Sequence, residues 1–107
     1  MQRKLDTIHH TAIQVQDIAK AVSFYTKHFA CEIEYQDESW AMLKFANASL
    51  ALILPKQHPY HFAIVADDLS SYGQAVLHRD GTRSVYIQDE DGNYTEIIKL
   101  ADDETTQ

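Results

Sequence analysis

The sequence is poor in cysteine, and this excludes several kinds of chemistry. Its 107 residues include one cysteine, so neither an intrachain disulfide nor a zinc site built from cysteines can form. That residue, Cys31, lies among apolar neighbours, which favours a buried thiol over a catalytic nucleophile.

Basic residues are also scarce, and they are scattered along the chain. Nine Lys and Arg stand against sixteen Asp and Glu, which gives a formal net charge of -7. Nucleic-acid binding needs a basic surface that displaces phosphate counterions, and an anionic membrane would repel this charge. We expect no nucleic-acid or membrane partner. An anionic small molecule is not excluded, because a metal ion can reverse the potential inside a cleft.

Long apolar runs are absent as well. No stretch is long enough to span a bilayer, and the first residues lack the apolar core of a secretory signal. We therefore expect a cytoplasmic protein. The composition, 45% hydrophobic and 23% charged, is that of an ordinary globular protein. The length predicts a single domain over residues 1–107, with a frayed acidic tail at 101–107.

The first half of the chain has the pattern β-α-β-β-β. Residues 8–15 alternate in polarity, which predicts a strand whose apolar face is opposite the face of His10. Asp17 is suited to cap the helix that follows, because apolar residues then recur at helical spacing. Three short strands come next, each bounded by polar or small residues, and Pro55 ends the last one. They are predicted at residues 32–36, 40–45 and 50–54.

The second half begins as a repeat of the first. His61 follows His10 by 51 positions, and in both segments an isoleucine stands three residues and an aspartate seven residues after the histidine. Such self-similarity indicates two copies of one structural module. We assign module one to about residues 6–55 and module two to about residues 59–100.

The second module is shorter than the first. Apolar residues at helical spacing, namely Leu69, Tyr72, Val76 and Leu77, predict a second amphipathic helix that Gly81 would end. Two strands, at residues 82–88 and 93–100, follow on either side of a tight turn at 89–93. Module two therefore lacks about one strand.

Three segments together resemble the glyoxalase, bleomycin-resistance and extradiol dioxygenase superfamily, also called the vicinal oxygen chelate superfamily. They are residues 10–25, residues 61–67 and residues 89–97. The third is similar to the family's Asp-Pro-Asp-Gly-Asn turn and following strand glutamate, with Glu90 where proline is usual. The resemblance implies an α+β fold in which two tandem βαβββ-type modules form a cupped mixed sheet, the second module being shortened by about one strand.

The resemblance also implies a metal site. It places His10, His61 and Glu96 as ligands that project from strands into the cup. The family's fourth ligand position falls on Ala51 or Ile53, and neither side chain can bind a metal. Two imidazoles and one carboxylate suit Fe, Mn, Ni, Co or Zn, and such a set leaves positions open for substrate. His9 would replace His10 if the first strand slipped by one residue.

The function implied is that of a glyoxalase-like or dioxygenase-like metalloenzyme. The metal would bind a small substrate through adjacent oxygens, as in the superfamily's lyases, isomerases, thiol transferases and dioxygenases. We expect Trp40, Tyr86 and Tyr94 to line the cup as substrate-binding residues, although strand aromatics are more often core. The catalytic base is not identified. The candidate acid-base groups are Glu34, Glu38 and Tyr94.

Two other functions fit the same residues. One is a metal-free binding protein of the drug-sequestering, bleomycin-resistance kind, in which His10 and His61 line a pocket; strand histidines are more often hydrogen-bonded than metal-bound. The other is a degenerate domain kept for dimerisation. A homodimer is expected in any case, since an open sheet edge favours pairing. Residues expected at the solvated surface are His28, His58, His78, Lys44 and Arg83.

Overall fold

The computed structural model describes residues 5–78 and 81–101. These residues form two compact units. The central unit is residues 10–61, and the terminal unit combines the described residues before His10 with residues 62–78 and 81–101. Every helix in the described ranges is too short or too polar to cross a membrane. The module boundaries proposed from the sequence stay a prediction.

The central unit contains one helix and most of four strands. Strand β1 (Ile8–Gln14) begins just before the unit, and the other elements are α1 (Ile18–His28), β2 (Glu32–Gln36), β3 (Trp40–Lys44) and β4 (Ser49–Ile53). The strands lie in the order β2-β3-β4-β1. Strand β4 is parallel to β1, while the other two pairings are antiparallel. The β-α-β-β-β pattern predicted from the sequence is confirmed, and the strand pairing is mixed.

Helix α1 covers one face of these strands. Asp17 has an extended backbone and its Oδ1 accepts a hydrogen bond of 3.0 Å from the Lys20 amide, so it caps the helix as predicted. The apolar side of the helix packs on the sheet in a buried cluster. Its members are Ile18, Val22, Ala41, Leu43 and Leu52. Cys31, which was expected to be buried, is half-buried against this cluster.

The opposite face of the same strands carries a second apolar cluster. Its buried members are Ala12, Met42, Ala51 and Ile53, with Trp40 half-buried beside them. Successive residues of a strand point to opposite faces, so His10 shares the face of Ala12. The central unit thus has a helix on one face and His10 on the other.

The terminal unit contains short strands and a single helical turn. Its elements are β5 (His61–Val65, which starts at the last residue of the central unit), the 3-10 helix Ser70–Tyr72, β6 (Val76–Leu77), β7 (Arg83–Gln88) and β8 (Tyr94–Lys99). The strand order is β5-β8-β7-β6, with β7 antiparallel to both neighbours. Buried Leu69, Val85 and Ile97 form its core. The predicted α+β class with a mixed sheet is confirmed.

The prediction of a helix between residues 69 and 77 was wrong. Only the 3-10 turn forms there, and it ends at Gly73, whose φ of 121° is outside the helical region. Val76–Leu77 instead forms β6, which pairs with β7 and brings the number of strands after the turn to three. Gly81, which was predicted to end that helix, has a φ of +90°. Its amide instead donates to the His78 carbonyl in the turn between β6 and β7. Module two therefore has three strands after its helical turn, as module one has after α1, so the strand that it was predicted to lack is present and the shortened element is its helix.

The tight turn predicted at residues 89–93 joins β7 to β8. The Asp89 carboxylate accepts hydrogen bonds from the amides of Asp91 and Asn93, and Gly92 has a φ of +88°. The hydrogen bonds from Asn93 hold the pKa of Asp89 below its usual value. Ala101 is buried, and the rest of the predicted acidic tail lies outside the described residues.

We predict that Asp17→Ala destabilises the fold by about 1 kcal/mol, the usual cost of losing an N-cap side chain. Urea unfolding followed by circular dichroism measures this change. Asp6→Ala is the matched control, because Asp6 is exposed ahead of β1, and it should change stability by less than about 0.5 kcal/mol. Equal losses in both variants would contradict the assigned cap.

Candidate functional site

His10 is buried on the sheet face opposite α1. Its residue exposure is 5%, and it pairs in register with Ser49 of β4. His9 is half-buried, and because neighbouring strand residues alternate it belongs to the other face. The one-residue slip that would exchange these two histidines therefore does not occur.

His61 is the first residue of β5 and is also buried, at 8% exposure. Its Nδ1 lies 2.8 Å from the carbonyl oxygen of Pro59. A carbonyl can only accept, so Nδ1 must carry the proton and the lone pair of the ring is on Nε2. Metal-binding histidines are usually oriented by a hydrogen bond of this kind.

The two imidazoles lie next to each other within the central unit. Their ring centroids are 5.8 Å apart, and the rings meet edge to face at an interplanar angle of 74°. With a metal–nitrogen bond of about 2.1 Å, two imidazoles bound to one ion have centroids about 4.5 to 6.5 Å apart. The pair His10 and His61 therefore fits a shared divalent ion.

Glu96 is the third predicted ligand and is buried on β8 of the terminal unit, at 5% exposure. Its Oε2 lies 4.0 Å from Nε2 of His78, which is 2.7 Å from the hydroxyl of buried Ser84. Burying a carboxylate is costly unless it is paired or coordinates a metal. Each of the three predicted ligands offers an atom of the kind that binds divalent metals, a ring nitrogen or a carboxylate oxygen.

The fourth ligand position of the family has no donor in this chain. Ala51 and Ile53 are both buried on β4 with Ala12, and their side chains are hydrocarbon. Two residues before Ala51, the Ser49 hydroxyl donates to Glu34 Oε1 at 3.4 Å. Glu34, one of the acid-base candidates, is therefore bonded to the residue that pairs with His10.

The aromatic candidates fall into two groups. Trp40 stacks on Tyr35, with ring centroids 4.5 Å apart, and packs against the apolar cluster on the His10 face. Tyr86 and Tyr94 contact each other edge to face, with centroids 6.5 Å apart. In the β7–β8 register Tyr86 stands directly opposite Glu96. Burial, and secondarily the Glu96 charge, raises the pKa of Tyr86, so its hydroxyl stays protonated and able to donate.

Two histidines expected at the surface lie close to predicted ligands. His78 is half-buried and bonded to Ser84, so the prediction that it is simply solvated was wrong. His58 is exposed, but its ring centroid is 6.3 Å from that of His61. Neither lies in a strand, so no alternating pattern marks its direction. Residues that the structure places at the surface, as expected, are His28, Lys44 and Arg83.

The fold is similar to those of several solved structures. A hypothetical protein from Bacillus halodurans C-125 is 15% identical, with a TM-score of 0.74, and the matched region covers 92% of this chain and 97% of that protein's chain. A Streptomyces coelicolor methylmalonyl-CoA epimerase in complex with 2-nitronate-propionyl-CoA is 20% identical with a TM-score of 0.73, covering 92% and 99%. The methylmalonyl-CoA epimerase of Mycobacterium tuberculosis is 18% identical with a TM-score of 0.71, covering 94% and 92%. At these identities the similarity establishes the fold alone.

The sequence itself identifies the family. No curated protein matches the chain. A family model described as the Glyoxalase/Bleomycin resistance protein/Dioxygenase superfamily matches residues 7–97. This match spans both repeats and includes all three predicted metal ligands. The chain belongs to the glyoxalase, bleomycin resistance protein and dioxygenase superfamily.

Proposed function

We propose that this protein is a small metalloenzyme in which His10, His61 and Glu96 bind one divalent metal ion. The observation that carries the proposal is the pair of buried imidazoles, 5.8 Å apart, on the sheet face that the helix leaves uncovered. When bound, the ion supplies a Lewis acid that polarises two adjacent oxygens of a small substrate. Iron, manganese, nickel, cobalt and zinc all suit this ligand set.

The protein's own groups prepare this site for an ion. The Pro59 carbonyl fixes the tautomer of His61 and directs its Nε2 lone pair away from the backbone. His78 lies beside the Glu96 carboxylate, with its Nε2 4.0 Å from Oε2. Outer contacts of this kind change metal affinity about 10- to 100-fold when removed. Three protein ligands leave open positions, as a catalytic metal requires.

Substrate binding and proton transfer fall to the residues around the ligands. We assign Tyr86, Tyr94 and Trp40 to the substrate. The raised pKa of Tyr86 keeps its hydroxyl protonated, so that it can donate a hydrogen bond to an anionic oxygen. Among the acid-base candidates we favour Glu34, because its carboxylate is exposed to solvent and bonded to Ser49, the register partner of His10.

The substrate class follows from the metal chemistry. Two of the similar structures are methylmalonyl-CoA epimerases, and one of these holds 2-nitronate-propionyl-CoA. We propose a small substrate that gains negative charge on adjacent oxygens during the reaction, since this charge is what a bound divalent ion stabilises. Isomerases, lyases, thiol transferases and dioxygenases of this superfamily share that requirement.

We predict about one metal ion per chain in the purified native protein, measured by elemental analysis. His61→Ala and Glu96→Ala should each lose it, because each removes one ligand from a set of three. His28→Ala is the matched control, since His28 is an exposed helix residue, and it should keep the ion. Absence of metal from the native protein even after reconstitution would overturn the proposal.

A second function is favoured by one observation, the apolar cluster of Ala12, Met42, Ala51 and Ile53 beside Trp40. Apolar side chains next to an aromatic ring suit a metal-free protein that sequesters an aromatic molecule. The two functions differ in their response to a chelator.

We predict that EDTA lowers the melting temperature of the native protein. The binding protein would be favoured if the purified protein contains no metal and the aromatic probe anilinonaphthalene sulfonate raises its melting temperature equally with and without EDTA.

We also propose that the protein is a homodimer. Strand β2 ends the strand order of the central unit, and all five of its residues are exposed. Strand β6 ends the order of the terminal unit, and Val76 and Leu77 are each 61% exposed. Open edges with apolar side chains favour pairing with another chain.

Light scattering should therefore give twice the chain mass of 12.2 kDa. Comparing Val76→Lys with Ile33→Lys tests which edge is used, because a charge on a paired edge should shift the protein to monomer. A monomer at all concentrations in the unmodified protein would contradict the proposed dimer.

A further inference from the structure

Two basic side chains stand directly opposite each other in the terminal unit. Arg83 is the first residue of β7 and pairs in register with Lys99, the last residue of β8. Like charges placed opposite each other in an antiparallel pair destabilise a sheet. Basic residues are also scarce in this chain, whose formal net charge is -7. A bound anion between the two side chains would replace this repulsion with attraction.

The pair lies on the sheet face opposite Glu96. Successive strand residues point to opposite faces, so Arg83 shares the face of Val85, and Lys99 shares the face of Ile97. Val85 and Ile97 are partners in the register and are buried in the core of the unit. Glu96, on the other face, is the candidate metal ligand of this unit. The sheet itself therefore separates the two basic side chains from that ligand.

A small cavity adjoins both basic residues. Its volume is about 60 Å³, and its walls are formed by Gly81, Arg83, Lys99 and Leu100. One water molecule takes up roughly 30 Å³ in the liquid, so the cavity suits a single group of a few atoms. None of the four lining residues is acidic, so the walls of the cavity do not neutralise its two positive charges.

Both side chains have hydrogen-bond donors to offer to a ligand. The Lys99 ammonium donates to the Asp67 carbonyl at 2.9 Å. An ammonium has three donors, so this contact holds the group in place and leaves two donors for a ligand. The Arg83 side chain is exposed, and its planar guanidinium can donate two parallel hydrogen bonds to one oxyanion. A lysine held by the backbone and an exposed arginine thus line the same cavity.

We propose that Arg83 and Lys99 bind a phosphate group, either as the free ion or as the end group of a small phosphate ester. Such a group has a charge of about -1.5 to -2 near neutral pH, which matches the two cations, and its oxygens can accept from both at once. A carboxylate would bring one charge only, and a nucleic-acid backbone would need a wider basic surface. The inference is independent of the metal site, because it uses other residues on the other sheet face.

Titration of the ¹⁵N-labelled native protein with inorganic phosphate, followed by NMR, tests this site directly. Sodium chloride keeps the ionic strength constant, so that general screening does not change. We expect the largest amide shift changes at residues 81–83 and 99–100. The Kd for phosphate should rise at least about tenfold in Arg83→Gln and in Lys99→Gln, because each removes a hydrogen bond between charged groups. Lys44→Gln is the matched control, since Lys44 is an exposed strand lysine of the central unit, and it should keep the unmodified Kd.

Two further arms identify the source of the phosphate group and exclude binding to a metal ion. A lower Kd for glycerol 3-phosphate than for inorganic phosphate would support an ester as the ligand, and the reverse order would support the free ion. The titration is repeated with EDTA, which should leave the Kd unchanged. Shift changes that disappear with EDTA would place phosphate on a bound metal ion, which would overturn this inference and support the proposed metal site.

Two other results would overturn the phosphate site without bearing on the metal site. One is the same Kd in Arg83→Gln, Lys99→Gln and the unmodified protein. The other is an absence of any phosphate effect beyond that of chloride at equal ionic strength. The same spectra show whether each variant is folded. Arg83→Lys, which keeps the charge but loses the paired donors, should bind phosphate more tightly than Arg83→Gln and more weakly than the unmodified protein.

Discussion

The parallel pairing of β1 with β4 is the constraint on which the rest of the site depends. It sets Ile13 opposite Leu52 on the face that packs under α1, and so sets His10 opposite Ser49 on the other face. A slip of one residue would turn the half-buried Ile13 away from the cluster under α1, and so lose part of the about 1.5–3 kcal/mol that full burial of such a side chain contributes. Apolar packing under the helix thus decides that His10, and not His9, faces the site.

The first half of the fold could be predicted closely because its signals are local. Asp17 marks the start of α1, and the strand bounds from β1 to β4 agree with the sequence prediction to within one residue. In the second half, the spacing of apolar residues from Leu69 to Leu77 imitates a helix. Gly73 takes a backbone conformation that no helix contains, and Val76–Leu77 pairs with β7. That pairing is tertiary, and it overrides local propensity.

The location of the candidate ligands on strands could be predicted for the same reason. His10, His61 and Glu96 all lie on strands, where alternation fixes the direction of a side chain. His58 and His78 lie outside strands, so no alternation fixes the direction of their side chains. Gln14, which holds the His58 carbonyl, is 44 residues away, and no sequence pattern foretells a contact of that kind. Resemblance therefore pointed to three strand residues as candidate ligands and gave no sign of the histidines near them.

Burial of the candidate ligands links the stability of this protein to its proposed function. His10, His61 and Glu96 are among the few buried polar residues of the described chain, and an ion bound only by the folded state stabilises that state. The most direct test is a crystal structure of the metal-loaded protein with anomalous diffraction at the metal edge. We predict one peak at a bonding distance of about 2.0–2.2 Å from a ring nitrogen of His10, a ring nitrogen of His61 and a carboxylate oxygen of Glu96. A peak bound to other residues, or no peak between these three, would contradict the account.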